Sequence, residues 1–391
     1  VPVFGGALGH AIDEAVQRAT GGGFWGTVLV ARKGEVVLAK GYGFADYAER
    51  PNAPDTLFEL ASASKQMTAA AVLRLEQQGK LGTSDALGAF FRDVPDDKKA
   101  ITVHQLLTHT SGISPEIGVP YDSPIGRAEY VRSMLAHPLA SAPGEAFAYS
   151  NVGYALLAAI VEVASGKSFE EYARKELFAP AGLVDTGFVS EERLVRSDRV
   201  SRRLGDGPKE WTAANWHWGW GYRGMGGVVT TALDLLRWDR ALRGDKVLGG
   251  PAKQKLHAPE KNGYACGWMI ETTERGTTRA HHSGGVTGYA SQVSRWLEED
   301  VLVVILTNGK SDLGAVERAI TALLFPASRV EADVDVGTHE LSAFRALERK
   351  EGLAWQAARE GDRLRLSLRL GDATVAEIRM PKAYAAKLAT D

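Results

Sequence analysis

The stretch Phe58-Glu59-Leu60-Ala61-Ser62-Ala63-Ser64-Lys65-Gln66-Met67-Thr68 holds the only S-x-x-K in the chain. On a helix, residues three apart share a face one turn from each other, so the Lys65 amine can reach the Ser62 hydroxyl. Ser62 at a helix start also meets backbone N–H groups without intrahelical partners and the positive end of the helix dipole. Both features suit a serine whose attack on a carbonyl leaves an oxyanion. Taken alone the spacing decides little, because about one S-x-x-K arises by chance in a chain this long. The alternative is structural: Ser62 as an N-cap and Lys65 as a solvated first-turn residue.

The residues around this stretch narrow the setting. The chain has 391 residues, 45% hydrophobic and 24% charged, which is enough apolar material for one large domain or two ordinary ones. With 46 Lys plus Arg against 48 Asp plus Glu, the net charge is −2, and no basic face for nucleic acid is implied. A single cysteine, Cys266, excludes an internal disulfide and any multi-cysteine metal site. The longest apolar runs, Val152 to Val161 and Val301 to Leu306, are too short for the roughly 18–20 residues of a membrane span. The chain opens at Val1 with neither an initiator Met nor a charged-then-apolar segment, which leaves the compartment undecided.

Periodicity predicts a helix over about Ala7–Thr20 ended by Gly21-Gly22-Gly23. A hairpin of Gly26–Ala31 and Glu35–Gly41 then turns at Lys33-Gly34, followed by a helix over Ser62–Gln78 stopped by Gly79. Thr102-Val103-His104-Gln105 and Thr231-Ala232-Leu233-Asp234 have capping-box spacing. Further helices are expected at Val152–Ala164 and Leu313–Leu324, and a second hairpin at Tyr289–Leu297 and Val301–Leu306. Strands, a helical middle, strands and a helix, in that order, describe an α/β sheet region interrupted by a mostly helical subdomain. Beyond Pro326, Leu364, Leu366, Leu368 and Leu370 alternate with Arg365, Ser367 and Arg369 as in a half-buried strand. Thr374–Met380 is its expected partner across Gly371-Asp372.

Four further segments accompany the S-x-x-K: Leu106-Leu107-Thr108-His109-Thr110-Ser111-Gly112, Tyr149-Ser150-Asn151, Gly226-Gly227-Val228-Val229-Thr230-Thr231 with Asp234-Leu235-Leu236-Arg237-Trp238, and His282-Ser283-Gly284-Gly285 with Gly288-Tyr289. In this order they resemble the serine β-lactamase and penicillin-binding-protein superfamily over about Gly26 to Gly309. The likeness is to the class C-like branch that also holds esterases, D-aminopeptidases and D-alanyl-D-alanine carboxypeptidases. The resemblance implies an α/β, β-lactamase/transpeptidase-like fold, an antiparallel sheet flanked by helices. Its sheet would come from about 1–60 and 245–326 and its helical subdomain from about 61–244. Residues 327–391 are left as a small β-containing appendage on a hydrolase domain of 1–326.

It implies roles as well: Ser62 as nucleophile, Lys65 and Tyr149 as the groups that move its proton, Asn151 as a holder of Lys65 and of a substrate amide, and His282 in the third motif. The Gly285 N–H, next to Gly284, would pair with that of Ser62 as the oxyanion hole. A serine needs a base to become a nucleophile, and Lys65 serves only if its pKa falls from about 10.4 toward 7–8. A phenol beside an ammonium ionises more readily, so Tyr149 is expected to share the proton with Lys65. His282 is expected to face Ser62 and to bond Tyr149 or the substrate, and His281 to point to the opposite face. Histidine in place of the family's lysine, mostly neutral at pH 7, disfavours substrates carrying a carboxylate and favours esters and uncharged amides.

Trp211, Trp216, Trp218 and Trp220, with His217 and Tyr222, either wall an acyl pocket, with Trp218 and Trp220 as its lining, or form a subdomain core. No G-x-S-x-G or H-E-x-x-H is present, and Gly166-Lys167-Ser168 lacks the upstream glycine of a P-loop. The expectation is a serine acyl hydrolase without cofactor or metal, acting on a small-molecule ester, amide, peptide or lactam. An esterase or D-amino-acid peptidase is preferred to a β-lactamase or penicillin-binding carboxypeptidase; a transacylase shares the same chemistry. The rival from another class is a catalytically silent relative that binds cell-wall fragments or protein. By analogy with the family, the compartment is periplasmic or extracellular.

Overall fold

The computed structural model describes residues 1–121, 123–202, 219–326, 354–360, 363–370 and 373–381. The chain divides into two compact units, Val1–Phe4 with Gly23–Leu313, and Gly5–Gly22 with Gly314–Asp391.

The first unit is built on a seven-stranded antiparallel sheet. Its spatial order is Val3–Phe4, Glu35–Tyr42, Gly26–Arg32, Val301–Thr307, Tyr289–Trp296, Thr278–Val286 and Met269–Thr272. The two predicted hairpins therefore share one sheet, joined where Val301–Thr307 pairs with Gly26–Arg32 in the register Val303↔Val30. Val301-Leu302-Val303-Val304-Ile305-Leu306 is buried along its whole length, as expected of a central strand covered on both faces. Each such aliphatic side chain contributes about 1.5–3 kcal/mol on leaving water.

The helical middle packs around Lys65–Gln77, whose residues from Lys65 to Leu73 are all buried. That helix lies against Asn151–Ser165, and alanines 69–71, 155, 158 and 159 keep both surfaces low. Ser150 caps the second helix by accepting the Gly153 N–H. Thr102 forms the predicted capping box with Gln105. At Thr231 the cap is one-way: its side chain takes the Asp234 N–H, while the Asp234 carboxylate is held by the Asp185 N–H and the Thr186 hydroxyl.

One boundary differs from the sequence reading in a way that matters for the site. The α-helix begins at Lys65, not Ser62, and Ala61–Ser64 form a 3-10 turn. Ala61 takes φ 48°, in the left-handed region that costs an L-residue about 1–2 kcal/mol. This kink separates the turn from the strand Phe58–Glu59, which is held in a small sheet with Val228–Thr230 and Gly187–Phe188.

The second unit contains the helix Gly6–Thr20, ended by Gly21 at φ 56°, and nearly all of Leu313–Leu324. It also holds three antiparallel strands, Ala354–Glu360, Arg363–Leu370 and Ala373–Pro381. The pairing of the last two was legible in the alternating leucines; Ala354–Glu360 was not, because its sequence alternates poorly. Their expected turn, Gly371-Asp372, lies outside the described residues.

Candidate active site

Four backbone contacts fix the turn that carries Ser62. Leu60 N–H donates to Val228 O (2.8 Å), Leu60 O accepts from Ser291 Oγ (2.7 Å), Val228 N–H donates to Ser64 Oγ (3.3 Å), and Thr68 Oγ1 donates to Gly224 O (2.7 Å). The segment Gly224–Val228 is thus stitched to the Ser62 turn and the helix after it from both sides. A Cβ on Gly284 would lie 2.3 Å from Leu60 O and 3.0 Å from Ser62 N, so the strand Thr278–Val286 runs directly against the Ser62 backbone. Among the described residues, a Cβ on Gly285 would meet nothing within 4 Å. One glycine permits the close approach, and its neighbour faces open space.

Lys65 has no exposed surface. Its Nζ lies 3.2 Å from Ser62 Oγ, 2.7 Å from Asn151 Oδ1 and 2.8 Å from Met225 O. Burial drives its pKa well below the ordinary lysine value. A neutral amine has two N–H groups and one lone pair. The carbonyl oxygens of Asn151 and Met225 can only accept, so they take the two N–H groups and the lone pair is left for Ser62. Tyr149 is hydrogen-bonded with Ser62, and its ring centroid is 4.9 Å from Lys65 Nζ.

Two expectations for these groups change. Burial pushes Tyr149 up to about 12, more than its bond with Ser62 lowers it, so the phenol keeps its proton. The expected help from a neighbouring ammonium is weakened, because burial holds the Lys65 amine itself well below its ordinary pKa. His282, in turn, bonds Tyr264 and not Tyr149. Its Nδ1 is 2.6 Å from Ser283 O, an acceptor, so the ring proton sits on Nδ1. Nε2 then accepts the Tyr264 hydroxyl at 3.0 Å, while the Tyr149 ring centroid is 6.2 Å away. Burial above all lowers His282 to about 3, which leaves it neutral. His281 faces the other way and pairs with Glu271 at 3.0 Å.

Ser62, Lys65, Tyr149 and Asn151 therefore form one bonded cluster, with Gly284 and Gly285 alongside and His282 one tyrosine removed. Trp220 is placed differently: it packs on Tyr130, with ring centroids 5.8 Å apart, at the edge of the helical core. That is the core reading of the tryptophan cluster for this residue. Trp211, Trp216, His217 and Trp218 lie outside the described residues. Three contributors were not anticipated. Met225 acts through its backbone, which no side-chain motif advertises. Tyr264 gains its role only once strand pairing sets it beside His282. Tyr121, whose hydroxyl accepts from Asn151 Nδ2 at 3.2 Å, comes from a loop without a distinctive sequence. Among the described residues, no single helix is long and apolar enough to cross a membrane.

Comparison with known proteins gives a consistent picture. The Beta-lactamase family profile matches residues 11–326. "Penicillin-binding protein 4*" of Bacillus subtilis is 30% identical over 386 residues, covering 88% of this chain and 84% of its own. Among solved structures, the penicillin-binding protein from Bacillus halodurans superposes with TM-score 0.68 at 28% identity, over 80% of this chain and 99% of that one. The D-amino acid amidase from Ochrobactrum anthropi reaches TM-score 0.70 at 22% identity, over 81% and 98%, a likeness of fold.

Proposed function

Because the chain belongs to the Beta-lactamase family and is a serine hydrolase, we propose that it forms its acyl-enzyme on Ser62 and acts on esters and uncharged amides, D-amino-acid amides among them. The observation that carries this reading is the setting of Lys65: fully buried, its pKa driven well below the ordinary lysine value, and bonded to Asn151 and Met225 so that in its neutral form the lone pair meets the Ser62 hydroxyl. Lys65 takes the proton as Ser62 Oγ attacks the carbonyl carbon. The backbone N–H groups of Ser62 and Gly285 hold the resulting oxyanion. Collapse expels the alcohol or amine, which receives the proton through the Tyr149 hydroxyl. Water then attacks the acyl-enzyme, Lys65 accepts its proton, and as the tetrahedral intermediate collapses to the acid Lys65 returns that proton to Ser62 Oγ.

The preference for uncharged substrates rests on His282. A lysine at that position would offer a permanent cation to a substrate carboxylate. A histidine lowered to about 3 offers none at neutral pH. Position 282 thus lacks the charge that would repay the desolvation of an anionic substrate. The same family likeness favours a place outside the cytoplasm.

Pre-steady-state release of p-nitrophenol from a short-chain p-nitrophenyl ester tests the reading. A burst equal to the enzyme concentration is expected from the wild type, and none from Ser62→Ala. A burst that survives Ser62→Ala sinks it. The likeness to penicillin-binding proteins supports a second reading, acylation of Ser62 by a lactam. Stoichiometric labelling by a fluorescent penicillin, with slow turnover of esters, would favour that substrate class.

A further inference from the structure

His109 holds the residue read above as the proton carrier from three directions. It follows the helix Val103–Leu107, is 2% exposed, and takes φ 57°. Its carbonyl oxygen accepts the Ala148 N–H at 2.9 Å, and its Nδ1 accepts the Ser150 N–H at 3.0 Å. The residues on either side of Tyr149, Ala148 and Ser150, are thus both tied through their N–H groups to one residue. The His109 ring also packs on the Tyr149 ring, with centroids 4.4 Å apart, and lies 4.5 Å from Tyr264 and 4.9 Å from Tyr154. Neighbouring residues continue the rail: Thr110 O accepts from Gly144 N and Gly112 O from Ala140 N.

We infer that His109 is a positioning residue for the reaction, setting the Tyr149 hydroxyl and the Asn151 amide against Ser62 and Lys65 through the Nδ1 acceptor it offers to Ser150. This rests on the reading of Tyr149 and Lys65 given above. Ring packing alone would be met by phenylalanine or tyrosine; what asks for histidine is a flat ring with an acceptor at its first position. Since Nδ1 accepts, the ring proton is on Nε2, and protonation of Nδ1 would remove the bond. Burial keeps that second proton away, so the clamp persists across the working pH range. Asn151 opens its helix one residue after Ser150, so a slip at Ser150 moves both Tyr149 and Asn151. Displacements near 1 Å in a catalytic group cost about 10²-fold in rate.

The test compares His109→Asn with His109→Gln. The asparagine Oδ1 stands the same number of bonds from Cα as Nδ1, and asparagine tolerates a positive φ. Glutamine carries its oxygen one bond too far. Burst and steady-state kinetics on the p-nitrophenyl ester, with thermal melting of each variant, give the readout. His109→Gln should lose about 10²-fold in kcat with KM within about threefold, and His109→Asn should recover to within about tenfold of wild type. Equal kcat in His109→Gln and wild type overturns the inference. So does an equal loss in both variants that melt normally, which would make the ring, not the acceptor, the cause. If His109→Gln does not fold, His109→Asn decides alone: a 10²-fold loss there overturns the proposal. A wild-type burst that persists in Ser62→Ala is a different failure, of the site reading itself, and takes this inference with it.

Discussion

Replacing Gly284 by alanine should disable the site, while the same change one residue on should spare it. The Cβ of Gly284→Ala would sit 2.3 Å from Leu60 O, 2.5 Å from Ser291 Oγ and 3.0 Å from Ser62 N. Ser291 can turn away, but Leu60 O is backbone and also accepts the Ala63 N–H within the nucleophile turn. Ordinary contact therefore requires about 1 Å of separation between the strand Thr278–Val286 and the Ser62 turn. That movement pulls the Gly285 N–H away from the Ser62 N–H. Loss of one oxyanion donor costs about 10²–10³ in kcat, and the overpacking costs about 1–3 kcal/mol of stability. Gly285→Ala adds a methyl to open space and keeps every N–H, so kcat for an acetyl ester should stay within about threefold, with any effect growing as the acyl group lengthens. Burst amplitude and rate on p-nitrophenyl acetate, with melting curves for both variants, make the comparison. Equal activity in the two variants, or a greater loss from Gly285→Ala on the acetyl ester, would refute the placement of the oxyanion hole between these backbones.

Acid should destabilise the fold through its buried histidines. His282 and His257 are lowered to about 3 and about 4, and His109 well below its ordinary value, in each case chiefly by burial. The unfolded chain binds their protons first as pH falls below about 6.5, so stability drops from there toward about pH 4, by up to roughly 1.4 kcal/mol per pH unit for each group. Urea midpoints at pH 7, 6, 5 and 4 measure it, and a flat profile would contradict the assignment. Glu59 works in the opposite sense: burial raises it to about 7 despite its bond from Tyr222, so the native state holds a proton that the unfolded chain releases between about 4.5 and 7. Its share of stability is full below that window and is lost as pH rises through it. Glu59→Gln, which keeps an acceptor for Tyr222, should therefore gain roughly 2–3 kcal/mol at pH 8 and nothing at pH 4.5. Equal midpoints at pH 8 would count against it.

Most of the architecture was written in local pattern. The strands Val301–Thr307 and Gly26–Arg32 announced themselves by apolar runs and a Lys33-Gly34 turn, and Leu313–Leu324 by its period. The site motifs gave Ser62, Lys65, Tyr149 and Asn151 because their side chains do the bonding. What stayed hidden depends on tertiary approach. The 3-10 turn at Ala61–Ser64 follows from a strained φ that no propensity predicts. The His282–Tyr264 bond needs the register of two strands and the loop before them. The protonation of Tyr149 turned on how deeply its own hydroxyl is buried, and periodicity says which face is inward but not how far a phenol is sealed there. His109 was visible as part of a loop motif, yet its bond to Ser150 spans 41 positions.

The sealing of Lys65 reaches beyond the reaction itself. An amine with no exposed surface is out of reach of the anhydrides, active esters and aldehydes that modify surface lysines. The chain presents many such lysines, among them Lys33, Lys80 and Lys99. Coupling it to a solid support through amines would spare Lys65, since the fold bars this buried amine, whose pKa is driven well below the ordinary lysine value, from bulky electrophiles.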